Sequence, residues 1–185
     1  MKLGDITRPM IALLEDAHAA ETHLEQQDSQ FARRAYIRSV FAAVEGIVWL
    51  LKQVCLKLAV AAKAKLNVGE YSLLQDKTYE LKQNGELNVQ TKFLRLPDNL
   101  RFTFRVFNRS FAANVELGVG TASWDHFLEA LAIRHRITHP KEVDQLDVTD
   151  AEIARCREVC SWFNEIIHLA ITSIVKVSKQ QKNGV

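Results

Sequence analysis

Apolar residues recur at steps of three and four along nearly the whole chain, the period of a helix with one buried face. Met10, Leu13, Leu14, Ala17 and Leu24 predict a first helix that starts near Pro9 and ends around Gln26. Asp28 and Ser29 are suited to cap a second helix, expected to reach about Leu66. Its seam is Phe41, Val44, Val48, Leu51, Cys55 and Leu58. The opposite side, through Ile37, Val40, Ile47 and Val54, is apolar as well, which makes this the central helix. Gly46 lowers helix propensity there and points to the close approach of another helix.

Further along, Asn67 to Tyr71 reads as a linker, and a short helix is expected over Leu73 to Gln83, ended by Asn84-Gly85. Leu87 to Leu96 has no clear period. Pro97 and Asp98 open a helix with the stripe Leu100, Phe104, Phe107 and Phe111. After a break at Gly118-Val119-Gly120-Thr121, Ser123 is expected to cap a helix from Trp124 to about Thr138. A loop follows over Lys141 to Val148, and Thr149 or Asp150 caps a last helix reaching about Lys179, with a frayed polar tail beyond. The pattern predicts an all-α fold: one domain over residues 1–185, a bundle of four to five main helices.

Length and charge change this picture little. The 185 residues are enough for a sizeable core. With 24 Lys+Arg against 22 Asp+Glu, the net charge of +2 does not announce a nucleic-acid binder, so such a role needs local clustering. The three cysteines form no zinc set and read as small buried hydrophobes in a reducing compartment. The N-terminus lacks the apolar core of a signal peptide. Ile37 to Ala62 is interrupted by Arg38, Glu45, Lys52 and Lys57, a poor membrane span. The expectation is a cytoplasmic protein with no membrane association.

The densest candidate chemistry lies in residues 133–140, Ile-Arg-His-Arg-Ile-Thr-His-Pro. Phe127, Leu128, Leu131 and Ile137 turn one side of that helix to a core, and Arg134 falls on the same stripe, where a guanidinium needs a partner or a functional cavity. His135 is one step further round, and His139 lies one turn later at the helix end. The helix dipole favours cations there. Arg136 reads as an ordinary basic decoration of the helix end.

The pattern Arg134-His135-x-x-x-His139, late in a helix and followed by a loop and a long helix, resembles the signature of HEPN domains, which are all-α modules associated with RNA and nucleotides. Trp124-x-x-Phe127-x-x-Ala130 before it and Pro140 after it fit the same resemblance. The architecture it covers is roughly residues 28–180, in an up-down arrangement, while the specific match is about sixteen residues. His135 stands where the family often has Asn or Asp, and Lys141 stands where a toxin subgroup paired with a nucleotidyltransferase antitoxin has Tyr. The resemblance implies a metal-independent endoribonuclease, active as a homodimer in bacterial stress response or phage defence, with RNA or a nucleotide as ligand and an antitoxin or other defence partner. No cofactor and no metal are implied. Arg134 and His139 are then the catalytic residues, and His135 fills the polar position beside them.

Glu45 shares a heptad-spaced face with Arg38 and Lys52, which is either an exposed polar stripe or a row holding a carboxylate that orients Arg134 or His139. Arg101, Arg105 and Arg109 line one helix face at steps of four, and Arg33, Arg34 and Arg38 form a smaller cluster; both sets either track a nucleic-acid backbone or are solvated basic faces. His18, His23 and His168 read as structural or surface residues, and Asp125 and His126 as helix-start residues. Three functions therefore compete. A ribonuclease needs Arg134 and His139 to face solvent close to their symmetry mates. A nucleotide- or RNA-binding module needs the cleft without cleavage. A helical interaction protein needs Arg134 salt-bridged within one chain and His139 facing bulk water.

Overall fold

The computed structural model describes residues 4–60 and 64–183. Among them are six α-helices and one two-stranded sheet, with 73% of the chain helical, so the all-α class holds. The helices are α1 (Gly4–Gln26), α2 (Gln30–Val60), α3 (Val68–Leu74), α4 (Leu96–Phe111), α5 (Ala122–Thr138) and α6 (Asp150–Asn183). The strands β1 (Lys77–Leu81) and β2 (Leu87–Thr91) lie between α3 and α4. The chain gathers into two compact units: one holds residues 48–114, and the other joins the chain before residue 48 to the chain after residue 114. The end of the first expected helix at Gln26 agrees, but α1 begins at Gly4, ahead of Pro9. Helix α2 is described to Val60; the expected continuation over 61–63 lies outside the described residues, and 64–67 are not helical.

In the unit without the hairpin, the α2 residues Ile37, Val40, Phe41, Val44 and Ile47 are all buried, as a central helix requires. A Cβ built on Gly46 would come within 2.7 Å of Leu13 Cδ1, so the missing side chain is what lets α1 approach. Phe127 of α5 anchors an aromatic cluster, with ring centroids 5.2 Å from Trp124, 5.4 Å from Trp162 and 6.2 Å from Phe41. Helix α5 packs along α6. Leu128, expected on the core side of α5, stands exposed instead. Thr121 rather than Ser123 precedes α5, and α6 continues beyond Lys179 to Asn183. Thr149 is the cap of α6: its hydroxyl accepts from Glu152 N–H at 3.3 Å, and the Glu152 carboxylate accepts from Thr149 N–H at 2.9 Å.

The other unit overturns two expectations. The linker at 67–71 opens α3 through a capping box, in which Asn67 Oδ1 accepts from Glu70 N–H at 2.8 Å and Glu70 Oε2 accepts from Asn67 N–H at 3.1 Å. The helix expected over Leu73 to Gln83 is instead the last residues of α3 followed by β1, and the patternless stretch from Leu87 contains β2. Asn84-Gly85 is a hairpin turn and not a helix stop. Gly85 N–H donates to Lys82 O, Lys82 N–H donates to Glu86 O, and Gly85 has φ +83°. This is a type I turn followed by a left-handed glycine, a common three-residue hairpin loop. Both uses of Asn-Gly exploit positive φ, and here the flanking residues alternate with period two and pair in register, Tyr79 with Val89 and Leu81 with Leu87. The α4 stripe Leu100, Phe104, Phe107 and Phe111 is buried as expected, and Phe107 stacks on Phe111 at 4.5 Å.

Polar burial is sparse. The Lys52 side chain is 1% exposed, and its ammonium meets Asp76 Oδ1 at 2.6 Å. Asp76 itself turns the chain from α3 into β1 at φ +55°, a conformation that Asp tolerates better than most residues. Cys55 and Cys156 are buried and Cys160 is half-buried. Burial pushes the Cys55 thiol up to about 12 and moves the other two upward as well, which suits inert packing groups. Gln30–Leu58 of α2 is long and apolar enough to cross a membrane by length and composition, while 56% of its most apolar window is buried within the protein.

Candidate functional site at the end of helix α5

Pro140 ends α5. A residue before proline is driven out of the helical region, and His139 sits at φ −127°, ψ 58°, its N–H still donating to His135 O at 3.0 Å. Thr138 Oγ1 donates back to Arg134 O at 2.6 Å. On the side facing α2, Arg134 Nη2 donates to Glu45 Oε1 at 2.8 Å, and the two side chains are 24% and 42% exposed. Arg38 Nη2 donates to Ile137 O at 2.7 Å and so satisfies a carbonyl at the helix C-terminus. The structure thus brings Arg134, Glu45 and Arg38 to one helix end. His135 and His139 belong to the same end, and both are exposed.

The loop after Pro140 is fixed by arginines. Arg136 Nη1 donates to Gln145 O at 2.7 Å and Asp147 O at 2.8 Å, and its Nη2 reaches Glu152 Oε1 at 2.6 Å. Arg34 donates to Leu146 O at 2.9 Å and Arg33 to Val148 O at 2.8 Å, while Gln30 exchanges two hydrogen bonds with the Val148 backbone. Arg33 also forks onto Asp28 at 2.6 Å and 2.6 Å, and that pairing holds the Asp28 carboxyl below the usual carboxylate range. Arg136 is therefore a clamp rather than a decoration, and Arg33, Arg34 and Arg38 act as carbonyl binders. Neither reading offered for that cluster foresaw this. The missed signal is that three arginines open α2 just where a loop of the same unit needs donors.

The heptad-spaced face of α2 resolves in the same way. Arg38 holds Ile137, Glu45 holds Arg134 and Lys52 holds Asp76, so each charge is tied rather than solvated. On α4, Arg101, Arg105 and Arg109 share an exposed face as expected. Arg109 is forked onto Glu70 at 2.8 Å and 2.6 Å, and Arg101 lies 3.8 Å from Asp98. The Arg109 fork pulls the Glu70 carboxyl below its ordinary range. These arginines belong to the unit of residues 48–114, whereas Arg134 and His139 belong to the other.

His126, read as a plain helix-start residue, has Nδ1 2.8 Å from Glu158 Oε2, beside an Arg155 that also pairs with Glu129 at 2.8 Å. His18, His23 and His168 are exposed. Among the described residues, no group of three His, Cys, Asp or Glu is placed to hold a metal ion. Cavities in this unit include one of about 250 Å³ around Arg33, Asp150 and Arg157, and two along α6 near Asn164 and His168. Arg134, His135 and His139 line none of these. Comparison with known proteins finds no protein family, curated protein or solved structure that matches the chain.

Proposed function

We propose that the chain is a metal-independent endoribonuclease of the HEPN type, acting as a homodimer on RNA in bacterial stress response or defence, in the cytoplasm. The observation that carries this reading is the Arg134–Glu45 pair at the surface, on the helix end that also presents His135 and His139. One guanidinium nitrogen is engaged by Glu45, which aims the group while the fork keeps further donors for a phosphate. A cation placed on a developing phosphorane stabilises the charge that builds there. Imidazole titrates near neutral pH, so His139 is suited to take the 2′-hydroxyl proton or protonate the leaving 5′-oxygen, a contribution of roughly 10²–10⁴-fold. Two copies supply two imidazoles, one for each transfer. Exposed on one chain, His135 and His139 suit a cleft that two chains complete.

A second reading is favoured by the same geometry. Arg134 closes its charge on Glu45 inside one chain and His139 faces solvent, the arrangement expected of a helical interaction module without catalysis. The two readings part in one assay: incubation of RNA with the purified protein in excess EDTA, beside a His139→Ala variant prepared identically. The ribonuclease reading expects cleavage that survives EDTA and disappears in the variant. Absence of cleavage across several RNAs leaves the interaction module, and equal cleavage by both proteins assigns the activity to a contaminant.

A further inference from the structure

Large apolar side chains stand in water along the hairpin. Tyr79, Leu81, Leu87 and Val89 share one of its faces and are 47%, 69%, 68% and 54% exposed, with Phe93 just beyond at 80%. Among the described residues the sheet has two strands. Its ladder fixes which groups are left over. Lys82 N–H bonds to Glu86 O and Lys92 N–H to Asp76 O. By the alternation of an antiparallel pair, Asn88 and Gln90 then turn their backbone groups toward β1, while Leu87, Val89 and Thr91 turn theirs outward along the free edge. Exposed edges are ordinarily blunted by charge, proline or a bulge. Over Leu87-Asn88-Val89-Gln90-Thr91 there is no charge and no proline, and the register runs without a bulge.

We infer that β2 is an interface for a second copy of this chain, pairing antiparallel with the partner's β2 about a two-fold axis at Val89 and forming a four-stranded sheet. The sequence around the strand selects this occupant. In that register all outward-turned groups meet outward-turned groups, Val89 faces the partner's Val89, and Leu87 faces the partner's Thr91. Just outside the strand, Glu86 falls opposite the partner's Lys92, and Lys92 opposite the partner's Glu86. A slip of two residues sets Glu86 against Gln90 or Leu94 and loses both charge pairs, and a slip of one mismatches the backbone groups and swaps the faces. The β1 edge is the poorer one, carrying Lys77 and Glu80, with Asp76 tied to Lys52. The paired sheet places the apolar face of both hairpins side by side. An edge ladder of this length is small against a standard interface, so the association is weak and concentration-dependent. It stands independently of the ribonuclease reading.

Sedimentation equilibrium of the full chain, from micromolar to millimolar, tests it. The expected result is a concentration-dependent association step that Val89→Pro removes, leaving any pairing through α5 in place, while the far-UV spectrum and melting temperature hold. Proline fits there because the outward N–H of Val89 is not used within the hairpin. Charge reversal checks the register even if the proline variant fails to fold. Lys92→Glu weakens association about tenfold, the size of ~1.4 kcal/mol, and adding Glu86→Lys restores it. Glu86→Lys alone also crowds Lys82, which lies 3.6 Å from Glu86 in the same chain, so the restored double variant is the deciding measurement. An absence of association at every concentration, an association that Val89→Pro leaves wholly unchanged, or a double variant no tighter than Lys92→Glu would each overturn the proposal.

Discussion

Residues 134–152 and residues 76–92 hold their shape by opposite means. In the first, side chains grip the backbone: Arg38, Arg136, Arg34 and Arg33 donate to the carbonyls of Ile137, Gln145, Asp147, Leu146 and Val148. In the second, the backbone pairs with itself along β1 and β2, and most side chains are left in water. The first region leaves few backbone groups for anything else and presents imidazoles. The second leaves an edge of backbone groups and presents apolar surface.

The comparison can be broken at its charged ties. The largest effect is expected at Lys52–Asp76, the tie that anchors the start of the hairpin. Asp76→Asn keeps the left-handed backbone but strands a buried ammonium, and should cost about 3 kcal/mol by chemical denaturation. Lys52→Met should cost much less, because it removes the charge together with its need for a partner. A larger loss in Lys52→Met than in Asp76→Asn would show that the charge pair itself stabilises the unit.

Arg136→Ala comes next. It deletes three charge-assisted hydrogen bonds of a partly exposed side chain and should cost about 2 kcal/mol. Hydrogen exchange should show faster amide exchange over residues 143–148 with the hairpin amides unchanged; an unchanged loop would mean that Arg34 and Gln30 suffice. Thr149→Ala removes the α6 cap and should cost about 1 kcal/mol.

The smallest effect is at Glu70, whose fork to Arg109 is half-exposed. Glu70→Gln should cost about 0.5 to 1 kcal/mol at neutral pH. Because Arg109 lowers the Glu70 pKa, the stabilisation is fully present above the ordinary glutamate value of about 4.3 and is lost as pH falls through the lowered one. Melting curves of the two proteins should therefore converge in acid. A gap that persists at low pH would assign the loss to the capping box at Asn67.

The sequence was informative where burial sets the pattern. The helical period of α4, α5 and α6 follows from one face packing inward, and that of α2 from burial on two sides, so Phe41, Phe104, Phe127 and the Gly46 approach were all readable. Arg134 on an apolar stripe correctly called for a partner, and Glu45 was among the residues named for it. The hairpin escaped because its period-two alternation, Tyr79 and Leu81 before Asn84-Gly85 and Leu87 and Val89 after it, is only two apolar residues long on each strand, and because Asn-Gly serves a helix end as well as a hairpin turn. The arginine clamps escaped because their acceptors are backbone carbonyls, which every sequence has and no residue letter reveals.

The central claim is that the end of α5 acts on RNA through its 2′-hydroxyl. The most direct measurement compares an RNA oligonucleotide with its fully 2′-deoxy twin in excess EDTA and identifies the product ends by mass spectrometry. The account predicts cleavage of the RNA alone, leaving 2′,3′-cyclic phosphate and 5′-hydroxyl ends, and no cleavage by Arg134→Ala or His139→Ala. Cleavage of the deoxy twin, or RNA cleavage that both variants retain, would contradict it.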